Sequence, residues 1–205
     1  MLVVGLIGGV ASGKSLVARY FCECGAQLVD GDRAGHAVLD EPEVRAALRA
    51  RYGPAVFGPD GRVLRSALAR IVFAPPPQGP WELAFLEQVT HPRIEQVLQA
   101  RLKELAASGT QVAVLDAAVM LKAGWDRFCD KMVFVAAPYE TRLQRALARG
   151  WTPEEFAARE AAQEPIEEKR KAAALLIDNS GTPEQTRQQV LRLWQEFTAM
   201  PHAPP

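Results

Sequence analysis

The sequence predicts an α/β fold, a five-stranded parallel sheet flanked by helices, and three observations carry that prediction. Five short apolar runs are spaced along the chain: LVVGLI from Leu2, QLVD ending at Asp30, QVAVLDAA from Gln111, KMVFVAA from Lys131 and LLID from Leu175. Stretches of helical periodicity separate them, as crossovers between parallel strands require. The first run leads directly into GGVASGKS, Gly8 to Ser15, a glycine-rich turn that opens a helix.

The elements follow in order. Leu2 to Ile7 is apolar without polar alternation, the pattern of a strand buried on both faces. From Gly13 a helical pattern runs through Leu16, Val17, Tyr20 and Phe21. Between the second and third strands lies a long helical region interrupted by Pro54, by PPPQGP from Pro75 to Pro80, and by Pro92. It is too long for a loop and predicts a side lobe. The fifth strand is expected to end at Asn179. After the fourth strand, Thr152, Pro153 and Glu155 supply an N-cap, a first-turn proline and a capping-box partner. Thr182, Pro183 and Gln185 repeat the device before the last helix, whose apolar side is Val190, Leu193, Trp194 and Phe197. The closing MPHAPP is expected to be a loose tail.

The 205 residues suffice for one well-filled α/β core with appended lobes. With 48% hydrophobic and 23% charged residues, the balance argues against disorder. The formal net charge is +0, so neither nucleic acid nor an anionic membrane is an expected partner. Positive charge is local instead, around Arg142, Arg145 and Arg149 and at Lys169 to Lys171. Cys22, Cys24 and Cys129 lack zinc-ligand spacing and fit a reduced interior. No apolar run approaches the ~18 residues of a membrane helix, and the first apolar segment has neither a basic flank nor a cleavage site. A cytoplasmic location is expected; nothing in the sequence sets an oligomeric state.

The stretch from Gly8 spells G-x-x-x-x-G-K-S. Glycines let successive backbone N–H groups turn inward on an anion, and the following helix adds its positive end. Gly8, Gly9, Val10, Ala11, Ser12, Gly13, Lys14, Ser15 and Leu16 form the expected cradle. Lys14 would reach the β- and γ-phosphates and the Ser15 hydroxyl would bind Mg²⁺. The fold class is therefore of P-loop NTPase type, with a nucleoside triphosphate and Mg²⁺ on the donor side. An NKxD guanine-reading motif is missing, which argues against a GTPase switch.

Other residues bear on the acceptor. VDGD places Asp30 and Asp32 at the carboxyl end of the second strand, where ligands of open parallel sheets bind. A carboxylate there can take the proton of an attacking hydroxyl; the plainer alternative is a capped turn entering a helix. Alternate strand residues face opposite ways, so one of the two is expected to face the cleft. Asp116 closes VAVLD like a Walker B acid that holds Mg²⁺ or its water. Arg142, Arg145 and Arg149 have i, i+3, i+7 spacing on one helix face, either as solvated surface or as a lid. Arg159 and Gln163 follow at i, i+4 in the capped hairpin, and an arginine lid would stabilise phosphate charge and exclude water. His91 precedes Pro92 and is expected at a bend between helices. Trp81 and Trp125 fit core, acceptor wall or neither, and the sequence does not decide among these.

With these motifs in this order, the chain resembles the dephospho-coenzyme A kinase family from Val4 to about Gln189. The matching segments are GLIGGVASGKS, QLVDGDRAGH, RYGPAVFGPDGRVLRSALARIVF, FLEQVTHPRI, the Arg145–Arg149 pair, and Arg159-x-x-x-Gln163 followed by EEK and IDNSG. The resemblance implies transfer of the γ-phosphoryl group of ATP to the ribose 3′-hydroxyl of dephospho-CoA, the last step of coenzyme A synthesis. It implies a single kinase domain with a core at about 1–32, 110–140 and 172–200, a helical CoA-binding lobe at about 33–109 and a helical lid at about 141–171. By position, Asp32 is the general base, with Lys14, Arg145 and Arg149 in catalysis. Arg65, His91 and Pro92 fall in the acceptor lobe, Arg159 in the lid, and Asn179 near the adenine. The chain departs from the family pattern at Ala11, Lys122, Glu160 and Ala174. Two other readings stay open: a P-loop kinase for a nucleoside or nucleotide, and a non-catalytic ATP-binding regulatory protein.

Overall fold

Apolar strands with no polar face must be covered on both sides, and the topology supplies that cover. The computed structural model describes residues 1–199; the MPHAPP tail, Met200 to Pro205, lies outside the described residues. The chain runs through β1 (Leu2–Gly8), α1 (Lys14–Glu23), β2 (Gln27–Asp30), α2 (Gly31–Val38), α3 (Pro42–Tyr52), α4 (Arg65–Val72) and α5 (Gln78–Ala107). It continues through β3 (Val112–Asp116), β4 (Lys131–Ala136), α6 (Tyr139–Leu147), α7 (Pro153–Ala161), α8 (Ile166–Lys171), β5 (Leu175–Asp178) and α9 (Pro183–Ala199). The five strands lie in the order β2-β3-β1-β4-β5. Every pairing is parallel. The expected sheet is present, and β5 stops one residue before Asn179.

Two compact units divide the chain: Met1–Asp30 with the segment from Arg101 onward, and Gly31–Ala100. In the first, β1 is central, and its Val4 and Leu6 are fully buried. Val17, Tyr20 and Phe21 of α1 and Val190 and Phe197 of α9 close over the sheet, with Leu193 and Trp194 packed at the edge. The Phe21 and Phe197 rings stack at 6.1 Å. This apolar side of α9 is the one its spacing predicts. Both expected caps form: the Thr152 hydroxyl accepts from the Glu155 N–H while the Glu155 carboxylate accepts from the Thr152 N–H. Thr182 and Gln185 exchange the same pair of bonds.

The second unit has its own core, in which Val44, Leu48, Leu68 and Val72 pack with Phe85, Leu86 and Val89. Arg51 makes a two-pronged bond to the Glu82 carboxylate, which also accepts from the Tyr52 hydroxyl at 2.9 Å. Burial, then that bond to Glu82, push the Tyr52 hydroxyl up to about 12.

The structure differs from four expectations. Pro92 lies inside α5, a 30-residue helix, so His91 does not sit between two helices. An internal proline removes one helix hydrogen bond and costs about 3 kcal/mol. Burial of Thr90, Ile94 and Leu98 on either side of it offsets that cost. In PPPQGP only Pro75 to Pro77 precede α5, because Pro80 falls in the first turn, where a missing N–H is tolerated. Arg149 does not share a helix face with Arg142 and Arg145, since α6 ends at Leu147 and the chain turns at Gly150 with φ 83°. Likewise Gln163 lies beyond the Ala162 cap of α7 and is not on the Arg159 face. Trp125 is core at 1% exposed, whereas Trp81 is 70% exposed. No described helix is long and apolar enough to cross a membrane.

Leu48→Ala removes a fully buried side chain from the smaller core. It is expected to cost about 3 kcal/mol, read as a lowered urea midpoint with folded-state secondary structure retained.

Candidate active site

Between β1 and α1 the chain must reverse within a few residues, and the backbone there is unusual. Gly13 sits at φ 98° immediately before Lys14, the first residue of α1. Ala11 sits at φ 57°, in the left-handed region where alanine carries a steric cost. The family-like glycine position is therefore one that does require positive φ. The Ser12 N–H donates to the Gly9 carbonyl at 3.1 Å, and the Leu16 and Val17 N–H groups close on the Gly13 carbonyl. The result is a tight, largely buried loop running into the positive end of a helix.

This loop is held from behind. Asn179, 2% exposed, donates its side-chain amide to the Ser12 carbonyl at 2.7 Å. Its amide oxygen accepts from the Thr186 hydroxyl at 2.8 Å, and its own N–H donates to the Ala136 carbonyl. Arg145 donates to the Ser12 carbonyl at 3.2 Å and to the Asn179 carbonyl at 2.8 Å. Burial, then the Arg149 charge, lower the Arg145 pKa from its ordinary value. A side chain at Gly13 would strike the Asn179 amide. The signature IDNSG thus supplies a strut under the phosphate loop, and Arg145 ties that strut to it.

The segment α6–α8 packs on the loop. Phe156 of α7 is fully buried with Val10 and Ala146, against Ala11, Leu143 and Trp151. Arg142 is 3% exposed and donates to the Ala137 and Val10 carbonyls at 3.2 and 3.4 Å. It also pairs with the Glu160 carboxylate, which in turn accepts from the Val10 N–H at 3.2 Å. A Cβ at Gly9 would come within 2.7 Å of the Arg142 guanidinium, so close approach requires glycine there. Lys169, also 3% exposed, bonds the Gln163 amide oxygen and lies 3.8 Å from the Glu164 carboxylate. Burial, then Lys14, lower the Lys169 pKa, while Glu164 and Glu160 oppose the shift. Lys14, Glu164 and Lys169 line one crevice beside Gly8. A neighbouring cavity of about 360 Å³ is lined by Gly9, Tyr139, Glu160, Gln163, Glu164 and Lys169.

The remaining candidates belong to both units. Asp116 ends β3 half-buried, in register with Leu6 and Asp30 on the neighbouring strands. Ser15 is exposed in the first turn of α1. Asp32 is exposed in the first turn of α2, so strand alternation does not relate it to Asp30. Arg65 opens α4, exposed, and His91 and Pro92 lie within α5. Arg159 is turned onto the Trp151 ring at 4.2 Å. Sequence reasoning passed over Arg142 as one arginine among three, and over Lys169 as part of a charge run. Their signal was position: each occupies the buried face of its short helix. Glu160 stood out only as a departure from a pattern.

A phosphate loop at the end of the central strand of a parallel sheet, with basic helices packed on it, defines a P-loop kinase. The family model described as CoaE, dephospho-CoA kinase, matches residues 2–185. The chain belongs to the dephospho-CoA kinase family. It is 41% identical over 198 residues to a Geobacter metallireducens protein named dephospho-CoA kinase, covering 96% of each chain. A Geobacter sulfurreducens protein of the same name is 38% identical, with 95% of this chain and 98% of that one covered. A Thermus thermophilus protein of known crystal structure superposes with a TM-score of 0.81 at 33% identity, over 95% of this chain and 96% of that one.

Two substitutions probe the loop. Ala11→Gly relieves the left-handed strain and is expected to raise stability by about 1 kcal/mol, read as a higher thermal midpoint. Asn179→Ala removes the strut and is expected to cost about 2 kcal/mol and to weaken ATP binding, measured by calorimetry. Full ATP affinity in that variant would separate the strut from loop geometry.

Proposed function

We propose that this kinase transfers the γ-phosphoryl group of ATP to the ribose 3′-hydroxyl of dephospho-CoA, releasing CoA and ADP in the last step of coenzyme A biosynthesis. The observation that carries the reading is the braced loop within a chain of this family: the Ser12 carbonyl clamped by Asn179 and Arg145, with Lys14 at the helix start. Gly8 to Leu16 hold the triphosphate through amide donors, and Lys14 meets the phosphates nearest the transfer. Arg145 acts by fixing the loop, and Arg149 adds charge from the turn that follows; Arg159 would add its charge on leaving the Trp151 ring on which it rests. Lys169, buried beside Lys14, is a further cation for the transferring group.

The residues present fit Mg²⁺. The Ser15 hydroxyl and the Asp116 carboxylate are hard oxygen donors of the kind this ion takes. Among the described residues no group of three His, Cys, Asp or Glu could hold a metal alone, and Mg²⁺ commonly draws its remaining ligands from water and substrate phosphates. When bound, the ion would neutralise charge developing between the β- and γ-phosphates. The buried Ser12 hydroxyl, without a hydrogen-bond partner among the described residues, adds a polar atom to the loop that suits an anionic ligand.

Asp32 is the proposed general base, taking the proton of the attacking hydroxyl from the first turn of α2. Arg65, His91 and Pro92 are proposed to contact dephospho-CoA, in a lobe of about 33–109, with α6–α8 as a lid at about 141–171. Shielding the transfer from water favours the hydroxyl over hydrolysis. The three free cysteines fit a cytoplasmic setting, and the balanced net charge favours a small-molecule acceptor over nucleic acid.

Mg²⁺-ATP turnover should be measured with dephospho-CoA, adenosine, AMP or water alone. ADP release with dephospho-CoA, giving CoA, is the expected result; turnover with AMP or adenosine instead would replace the acceptor. Asp32→Asn is expected to lower kcat by roughly 10²–10⁴-fold with ATP binding kept. Unchanged turnover would remove Asp32 from the mechanism.

A further inference from the structure

An acid stands at the mouth of a loop built to bind anions. Glu160 lies in the last turn of α7, four residues after Phe156, so both project from one helix face. Phe156 is buried against Val10 and Ala11. Glu160 reaches the same stretch of loop, and its Oε1 accepts from two donors, the Val10 N–H at 3.2 Å and the buried Arg142 guanidinium. Arg159, one residue earlier, points away onto Trp151.

A backbone amide of a phosphate loop and a buried arginine are the donor types that phosphate oxygens take. A carboxylate engaged by both satisfies the buried charge of Arg142, which would otherwise be costly to desolvate. It also holds the end of α7 on the loop. A phosphate arriving at Val10 and Arg142 meets donors already committed, and like charge keeps it apart from the carboxylate. One anion must give way to the other.

We propose that Glu160 sets the nucleotide affinity of this kinase. Its carboxylate competes with the phosphate oxygens of ATP for the Val10 amide and Arg142, and it latches α7 to the loop until the exchange is made. This rests on the reading of Gly8 to Leu16 as the ATP site, and is independent of the acceptor.

The test compares wild type with Glu160→Gln, which keeps the size and removes the charge, and with Glu167→Gln, the same charge change at an exposed position on α8. ATP, ADP and AMP affinities are measured by calorimetry, and backbone amide exchange of residues 153–161 is followed without added nucleotide. Glu160→Gln is expected to tighten ATP about tenfold, ADP less and AMP least, and to speed exchange across α7. Glu167→Gln should do neither. Unchanged ATP affinity, weaker ATP binding at an unaltered thermal midpoint, equal gains from Glu167→Gln, or α7 exchange as in wild type would each overturn the latch. Should Glu160→Gln fold poorly, Glu160→Asp keeps the charge but withdraws it by one methylene. It is expected to tighten ATP in the same order, and unchanged affinity there also sinks the proposal. Wild-type turnover of dephospho-CoA is scored separately, so a lost acceptor reading leaves the Glu160 result standing, and the converse holds too.

Discussion

A loop that binds anions through its amides must hold its carbonyls somewhere else. Here the decisive carbonyl is that of Ser12, clamped by the Asn179 amide and the Arg145 guanidinium. A peptide unit is planar, so fixing one face of it fixes the direction of the neighbouring N–H groups. Glycine at 13 leaves room for the Asn179 side chain, and Asn179 is itself anchored to β4 through Ala136 and to α9 through Thr186. The geometry of the phosphate site therefore depends on the far end of the chain. Loop, fourth strand and last helix form one hydrogen-bonded assembly.

Around that assembly the chain places several charges where water is scarce. Arg142 and Lys169 are nearly fully buried, and each has an acid beside it, Glu160 and Glu164. Removing one partner from such a pair leaves a desolvated charge, so the set holds together as a set. Burial lowers the pKa of Lys169 and Arg145 alike, which means that the fold bears an electrostatic cost at the loop. An arriving polyphosphate would relieve that cost.

Much of this was legible beforehand, for identifiable reasons. The inner strands were visible because a doubly covered strand has no polar alternation, as in LVVGLI and VAVLD, and the half-exposed edge strands β2 and β5 were visible as short apolar runs between helical stretches. The caps at Thr152 and Thr182 were legible because a cap is a local bond set spanning four residues. Pro92 misled because the cost of a proline in a helix is local, whereas the burial of Ile94 and Leu98 that outweighs it is not. The arginine series misled for a related reason. Spacing predicts a shared face only while the helix lasts, and α6 ends before Arg149.

The sequence by itself determined the sheet, the phosphate loop and the family, because each is written in contiguous or evenly spaced residues whose physics is local. It also marked Ala11 and Glu160 as unusual. Only the tertiary structure decided which groups those residues meet. Asn179 lies 167 positions from Ser12, and Glu160 lies 150 from Val10, so neither contact has a period or a motif that could announce it. Such pairings are selected by packing of the whole core, where the burial of many apolar groups supplies the energy that holds a few polar ones in place.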